Sequence, residues 1–368
     1  MLSEWMQTGF FLGILLALMA AVLTRYLRGP DLSGFDQSGP GPGQTAAARQ
    51  KFSSGPVLND EHRAAIASLS GVGNILKNTP RRKHLSLLRA YMDNMANDVV
   101  LDAQFTPVDA GGVPAEWVLA PGANANRRTL YIHGGAWIMG SPRSHRIITA
   151  KFSEITGGAV LAIDYRLMPE HSRMAGIEDC RTGYRWMLDN GPTGMAAASA
   201  VYVAGDSAGG NLTLSLIAWV RDQGLRAPNA AVALSPATDA TLGSPTLKAN
   251  LPTDAMLGPL FGRLAAIPRF VLVWAGLFQN RMRPCNPVVS PVFGDLSGLP
   301  RLLIHASDSE MLLGDSILYA NKAAAAGSDV TLQTWLHVMH VWHIFNPQLT
   351  EARQGFEEIR KFLNAEAV

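Results

Sequence analysis

The chain has 368 residues, of which 48% are hydrophobic and 16% are charged, and its formal net charge is +2. This length and apolar content suit one large α/β domain with additional segments. The near-neutral charge argues against nucleic acid as a partner, and two cysteines, Cys180 and Cys285, are too few for a disulfide scaffold and have no metal-site spacing.

The amino-terminal segment, residues 1–28, contains an uncharged apolar run from Gly9 to Leu23. With its flanks, the run reaches the length of about 20 residues that a membrane helix needs. Glu4 precedes the run, and Arg25 and Arg28 follow it, which indicates an uncleaved anchor rather than an export signal. The positive-inside rule then predicts a single-pass, membrane-associated chain whose folded domain is cytoplasmic. A signal-like segment that is removed, or an over-extended start of the reading frame, is the alternative.

Two further segments precede the main domain, which begins at residue 99 with an antiparallel pair of strands. Residues 29–59 are rich in Gly, Pro, Ser and Gln, which predicts a flexible linker. Leu and Ala recur at helical spacing in residues 60–98, which predicts helices that cap the domain. Residues 99–119 read as two strands around the turn Asp109-Ala-Gly-Gly112, an antiparallel pair at the sheet edge.

Apolar runs and helical stretches then alternate through residues 99–368. The predicted strands are 129–132, 159–165, 200–204, 231–234, 301–305 and 330–335, and the predicted helices are 145–155, 176–188, 210–220, 312–326 and 351–363. This alternation predicts an α/β fold with a mostly parallel central sheet and helices on both faces. The Pro-interrupted segment 240–285 does not fit the alternation and is predicted to be a cap insertion.

The stretch Gly205-Asp-Ser-Ala-Gly209 joins a predicted buried strand to a predicted helix. This pattern is typical of a nucleophile elbow, in which a sharp turn exposes the serine hydroxyl at the carboxyl edge of the sheet. Ser207 is therefore the candidate nucleophile. Asp206, beside it, is predicted to face away along the elbow and to lie outside the catalytic set.

The run His133-Gly-Gly-Ala-Trp137 follows the predicted strand 129–132. Because glycine has no side chain, paired glycines leave their backbone N–H groups accessible. Such groups can donate hydrogen bonds to the oxyanion that develops in the transition state. The predicted donors are the N–H groups of Gly134, Gly135 and Ala208. His133 is predicted to be structural, because it lies in the turn that shapes the loop.

A serine nucleophile also needs a base and an acid that orients the base, in the chain order Ser, acid, His. His340 lies in a loop after the last predicted core strand and is the preferred base, with His343 and His337 as alternatives. Asp308 and Glu310 both follow the predicted strand 301–305, and either carboxylate could orient an imidazole.

With these motifs in order, the chain resembles the hormone-sensitive-lipase-like branch of the α/β-hydrolases, the bacterial carboxylesterases of the G-D-S-A-G type. The matching stretches are Met92-Asp93, Gly111–Trp117, Tyr131–Trp137, Gly140–Arg146, Asp164–His171, Gly205–Gly210, Ser290-Pro291 and His340–Trp342. Together they cover the chain from about Arg81 to its carboxyl end.

The resemblance implies an α/β-hydrolase fold with a helical cap. It also implies an enzyme that hydrolyses short- to medium-chain acyl esters and uses neither a metal nor an organic cofactor. It implies Ser207 as nucleophile and His340 as base, and its pattern of a carboxylate followed two places on by Leu favours Glu310 over Asp308. The family's third loop glycine is Ala136 here, a change that keeps every backbone donor.

An acyltransferase or amidase with the same triad, and an inactive ligand-binding member of the fold, remain alternatives. The predicted partner is a small-molecule or lipid ester, and an anchor beside an apolar cap favours a lipid-like one. The sequence leaves the oligomeric state open, a homodimer included.

Overall fold

The computed structural model describes residues 2–36, 47–53, 55 and 57–365. Its strands are β1 Ala48–Phe52, β2 Gln104–Asp109, β3 Pro114–Leu119, β4 Asn124–Ile132, β5 Gly158–Ile163, β6 Asn190–Gly191, β7 Gly194–Met195, β8 Ala200–Asp206, β9 Ala230–Leu234, β10 Leu302–Ser307 and β11 Val330–Trp335. Its helices are α1 Leu2–Arg28, α2 Asp60–Ser68, α3 Ser70–Asn78, α4 His84–Asp93, α5 Arg146–Thr156, α6 Arg173–Asp189, α7 Ala208–Asp222, α8 Thr246–Ala249, α9 Leu257–Phe261, α10 Arg269–Asn280, α11 Leu313–Ala325 and α12 Thr350–Asn364.

Within these residues, the main sheet has nine strands in the order β1-β11-β10-β9-β8-β4-β5-β3-β2. The pairs β2–β3 and β3–β5 are antiparallel, and the other pairs are parallel. The predicted mostly parallel sheet with an antiparallel pair at its edge is therefore confirmed. Parallel strands that are covered on both faces read as continuous apolar runs, which is why the sequence revealed them.

Helices cover both faces of the sheet. Along β4, Leu130 and Ile132 face one side, where they join a core with residues of α6, α7 and α11. Tyr131 faces the other side, where it packs with Phe152 of α5 and Phe356 of α12. This alternation follows from the two-residue period of a strand, and it confirms the predicted layers.

The carboxyl-terminal part of α1 packs against the cap insertion. Thr24 Oγ1 accepts a hydrogen bond of 3.0 Å from Trp274 Nε1 of α10, and Leu27 is buried. In the part of the chain that the structure describes, no helix combines the length and the apolarity needed to cross a bilayer. The prediction that residues 1–28 form a single-pass anchor, with a cytoplasmic domain, is therefore wrong. The run from Gly9 to Leu23 is uncharged, but the last turn of α1 carries Arg25 and Arg28, and the helix contacts α10 of the cap insertion.

The predicted linker 29–59 contains a strand. Residues 48–52 form β1, which pairs in parallel with β11, and Phe52 stacks on Trp335 with ring centroids 4.3 Å apart. The strand escaped prediction because its sequence is mostly polar, as suits an edge strand. Residues 37–46, 54 and 56 of the predicted linker lie outside the described residues.

Candidate active site

Ser207 lies on the turn between β8 and α7. Its backbone has φ 52° and ψ −115°, an uncommon conformation for a residue with a side chain. A Cβ atom at Gly209 would lie 1.9 Å from the carbonyl oxygen of Ile132, and one at Gly205 would lie 2.6 Å from the carbonyl oxygen of Gly209. Only glycine fits at these two positions, so the G-D-S-A-G spacing specifies the elbow.

Ser207, His340 and Glu310 are joined by two hydrogen bonds. His340 Nε2 is 2.9 Å from Ser207 Oγ, and His340 Nδ1 is 2.6 Å from Glu310 Oε2. The other carboxylate oxygen of Glu310 accepts a bond of 2.9 Å from the backbone N–H of Ser307. Glu310 and His340 are buried, so solvent does not compete for these bonds. The arrangement can pass a proton from the serine to the imidazole.

Burial by itself lowers the pKa of His340. The hydrogen bond and the negative charge of Glu310 act in the opposite direction, with a further contribution from the charge of Asp254, so that the pKa ends above the ordinary histidine value.

The alternative site residues lie elsewhere. The carboxylate of Asp308 is 3.8 Å from Lys51 Nζ. His343 Nε2 is 3.0 Å from His305 Nδ1, and burial together with His305 holds the pKa of His343 well below its ordinary value. His337 occupies a left-handed position, with φ 63°, in the turn after β11.

The cap insertion 240–285 contacts the loop that carries Glu310. Asn250 Nδ2 donates to the carbonyl oxygens of Asp308, at 3.0 Å, and Glu310, at 2.9 Å. Asp254 Oδ2 accepts a bond of 2.8 Å from the N–H of Met311. The insertion therefore helps to fix the backbone around Glu310.

The loop of residues 133–137 is anchored by Asp206. One Asp206 oxygen accepts bonds from Tyr131 Oη, at 2.6 Å, and from the N–H of Gly134, at 3.1 Å. The other is 3.3 Å from His145 Nε2. Asp206 thus lies outside the Ser207–His340 pair, as predicted, but it holds the glycine loop, which the sequence did not indicate.

This anchoring changes the set of available backbone donors. The N–H of Gly134, a predicted oxyanion donor, is already bonded to Asp206. Within the described residues, the N–H groups of Gly135 and Ala136 have no protein acceptor. Ala208 is the first residue of α7, where an N–H has no acceptor in its own helix.

His133 packs inside the loop of residues 133–137. Its Nδ1 is 2.8 Å from the carbonyl oxygen of Gly134, and its ring stacks on Tyr165 with centroids 4.3 Å apart. Burial, and then the neighbouring His145, lower its pKa to about 3.

Side chains of the types that bind metal ions are dispersed in the described residues. Cys180 and Cys285 are free and buried. In the described ranges, no three or more His, Cys, Asp or Glu side chains form a possible metal site.

Comparison with known proteins identifies the family. The model of a family with the α/β-hydrolase fold matches residues 129–344. An acetyl-hydrolase of Streptomyces hygroscopicus is 37% identical, over 70% of this chain and 81% of its own length. The carboxylesterase/phospholipase LipF of Mycobacterium tuberculosis is 35% identical, over 70% of this chain and 68% of its own length.

Solved structures agree with these relatives. A crystal structure of an esterase from the bacterial hormone-sensitive lipase family is 32% identical with a TM-score of 0.72, and the match covers 84% of this chain and 98% of that one. The esterase EstE5, in a crystal soaked with p-nitrophenyl butyrate, is 35% identical with a TM-score of 0.70, over 83% of this chain and 98% of its own. This chain therefore belongs to the α/β-hydrolase family, in its hormone-sensitive-lipase-like branch of esterases.

Proposed function

We propose that the protein hydrolyses short- to medium-chain carboxylic esters through an acyl-enzyme, with Ser207 as nucleophile, His340 as base and Glu310 as the carboxylate that orients the base. The observation that carries this proposal is the unbroken series of hydrogen bonds from Ser207 Oγ through the imidazole to Glu310. An inactive ligand-binding protein would have no need of this series.

In the first step, Ser207 Oγ attacks the ester carbonyl carbon while its proton passes to His340 Nε2. The tetrahedral intermediate collapses when the imidazolium donates that proton to the departing alkoxide. Water then attacks the acyl-serine, with His340 again taking a proton, and the carboxylic acid leaves as the serine is restored.

We further propose the N–H groups of Gly135, Ala136 and Ala208 as the oxyanion donors. Ala136 replaces Gly134 in this set because the N–H of Gly134 is already bonded to Asp206. A donor that is already bonded to a carboxylate has less capacity to stabilise a second negative charge.

For the substrate, we propose that helices of residues 60–98 and the insertion 240–285 form a cap over the acyl pocket. Ester hydrolysis is preferred over acyl transfer or amide hydrolysis because the relatives compared above are named as an acetyl-hydrolase, a carboxylesterase and esterases.

Purified protein tests the substrate class. Acetyl, butyryl and hexanoyl esters of p-nitrophenol should give measurable kcat/KM, with a decline at decanoyl and longer chains. The matched anilides and an added alcohol acceptor test amidase and transferase activity in parallel. Hydrolysis of anilides alone, or acyl transfer that outpaces hydrolysis, would contradict the proposal.

The pH dependence follows from the raised pKa of His340. The base must be neutral to accept the serine proton, so kcat/KM should rise with pH through a midpoint above the ordinary histidine value of about 6.5. The profile should be measured with two esters of different leaving groups, so that a change of rate-limiting step is recognised. A midpoint below the ordinary value for both esters would contradict the assignment.

A further inference from the structure

Arg173, the first residue of α6, carries a buried guanidinium close to the proposed oxyanion site. Its exposed fraction is 4%. Its Nη2 donates a bond of 2.6 Å to Asn211 Oδ1, and its Cζ lies 3.6 Å from the centre of the Trp137 ring. The guanidinium is thus held between a loop residue and a helix residue.

Among the described residues, no carboxylate forms an ion pair with Arg173. Both its Nη1 and the neighbouring Trp137 Nε1 are buried without a hydrogen-bond partner. Its guanidinium is desolvated, and this burial lowers its pKa to about 9. A buried, uncompensated cation is costly, so its retention calls for a physical explanation.

Arg173 contacts both segments that carry the proposed oxyanion donors, namely the loop of residues 133–137 and the start of α7. Trp137 directly follows Ala136 in the loop, and it has a strained φ of 62°. Asn211 lies in the first turn of α7, whose first residue is Ala208. The Asn211 amide also donates to the carbonyl oxygens of Ala237, at 2.6 Å, and Val289, at 3.0 Å, so its oxygen is fixed toward Arg173.

We propose that Arg173 is a positioning residue of the oxyanion site, which braces the loop against α7 and supplies an uncompensated positive charge that is balanced only when the substrate oxyanion forms. This inference rests on the proposed ester hydrolysis. In it, the tetrahedral intermediate provides the missing negative charge, and the low dielectric of the interior lets the charge act without direct contact.

The variants Arg173→Met and Arg173→Gln separate the charge of Arg173 from its hydrogen bond to Asn211, because both are neutral and only glutamine keeps an N–H donor. In Arg173→Met, kcat for p-nitrophenyl butyrate should fall on the order of tenfold with KM nearly unchanged, less than the loss of a direct oxyanion donor. An aryl trifluoromethyl ketone, which forms an anionic tetrahedral adduct with the serine, should bind weaker by about the same factor. Arg173→Gln, which keeps an N–H donor but carries no charge, should show nearly the same losses.

A folded Arg173→Met variant that binds the ketone as tightly as the wild type would overturn the inference, as would an Arg173→Gln variant as active as the wild type. If the wild type hydrolyses no ester at all, the proposed function fails instead, so the two failures are distinguishable.

Discussion

Replacing Ser207 with alanine should abolish ester hydrolysis, with a fall in kcat of roughly four to six orders of magnitude, because no other group takes over nucleophilic attack in such triads. The residual rate would come from binding and from the oxyanion donors. A fluorophosphonate probe should label the wild-type protein and fail to label Ser207→Ala, since the hydroxyl that His340 Nε2 faces at 2.9 Å is then absent.

Ser215→Ala is a matched control. Ser215 lies in α7, the helix that follows Ser207, and its Oγ donates to the carbonyl oxygen of Val288 at 3.2 Å. This variant should keep both labelling and activity. Labelling that persists in Ser207→Ala would show that another residue is the nucleophile. A folded wild-type protein that takes no label would favour the ligand-binding alternative.

The sheet could be predicted from sequence because each buried strand is a local apolar run. β8 and β10, for example, are nearly completely buried and flanked by helical periodicity. β1 could not be found in this way, because it is polar and its pairing with β11 joins residues nearly 300 positions apart. Residues 1–28 were wrongly predicted to span a membrane, because the apolar composition of a segment does not reveal long-range contacts such as that between Thr24 and Trp274.

The catalytic site shows the same contrast between local sequence patterns, which could be recognised, and long-range contacts, which could not. Ser207 and His340 could be proposed because their motifs are contiguous and follow strands at the carboxyl edge of the sheet. The bond between Asp206 and the N–H of Gly134 spans 72 positions, and the stacking of Arg173 on Trp137 depends on how α6 packs. No local pattern encodes either contact, so the donor set and the buried charge emerged only from three-dimensional geometry.

Replacing Glu310 with glutamine should lower kcat by roughly three to four orders of magnitude, as loss of the orienting carboxylate does in other triads. One carboxylate oxygen accepts the Ser307 N–H at 2.9 Å, and the other faces His340 Nδ1 at 2.6 Å. A glutamine that keeps its oxygen on Ser307 must turn its NH₂ group toward Nδ1. The imidazole would then carry its proton on Nε2, in the tautomer that cannot accept one from Ser207.

Asp308→Asn is the matched comparison, since Asp308 lies two positions away and its carboxylate is 3.8 Å from Lys51 rather than beside His340. Its kcat should stay within a few-fold of the wild-type value, because a partly exposed ion pair contributes little. Both variants should be compared by kcat on p-nitrophenyl butyrate and by thermal unfolding, so that a loss of activity is separated from a loss of fold. A fully active, folded Glu310→Gln beside an inactive Asp308→Asn would transfer the orienting role to Asp308, and it would require the loop after β10 to rearrange before catalysis.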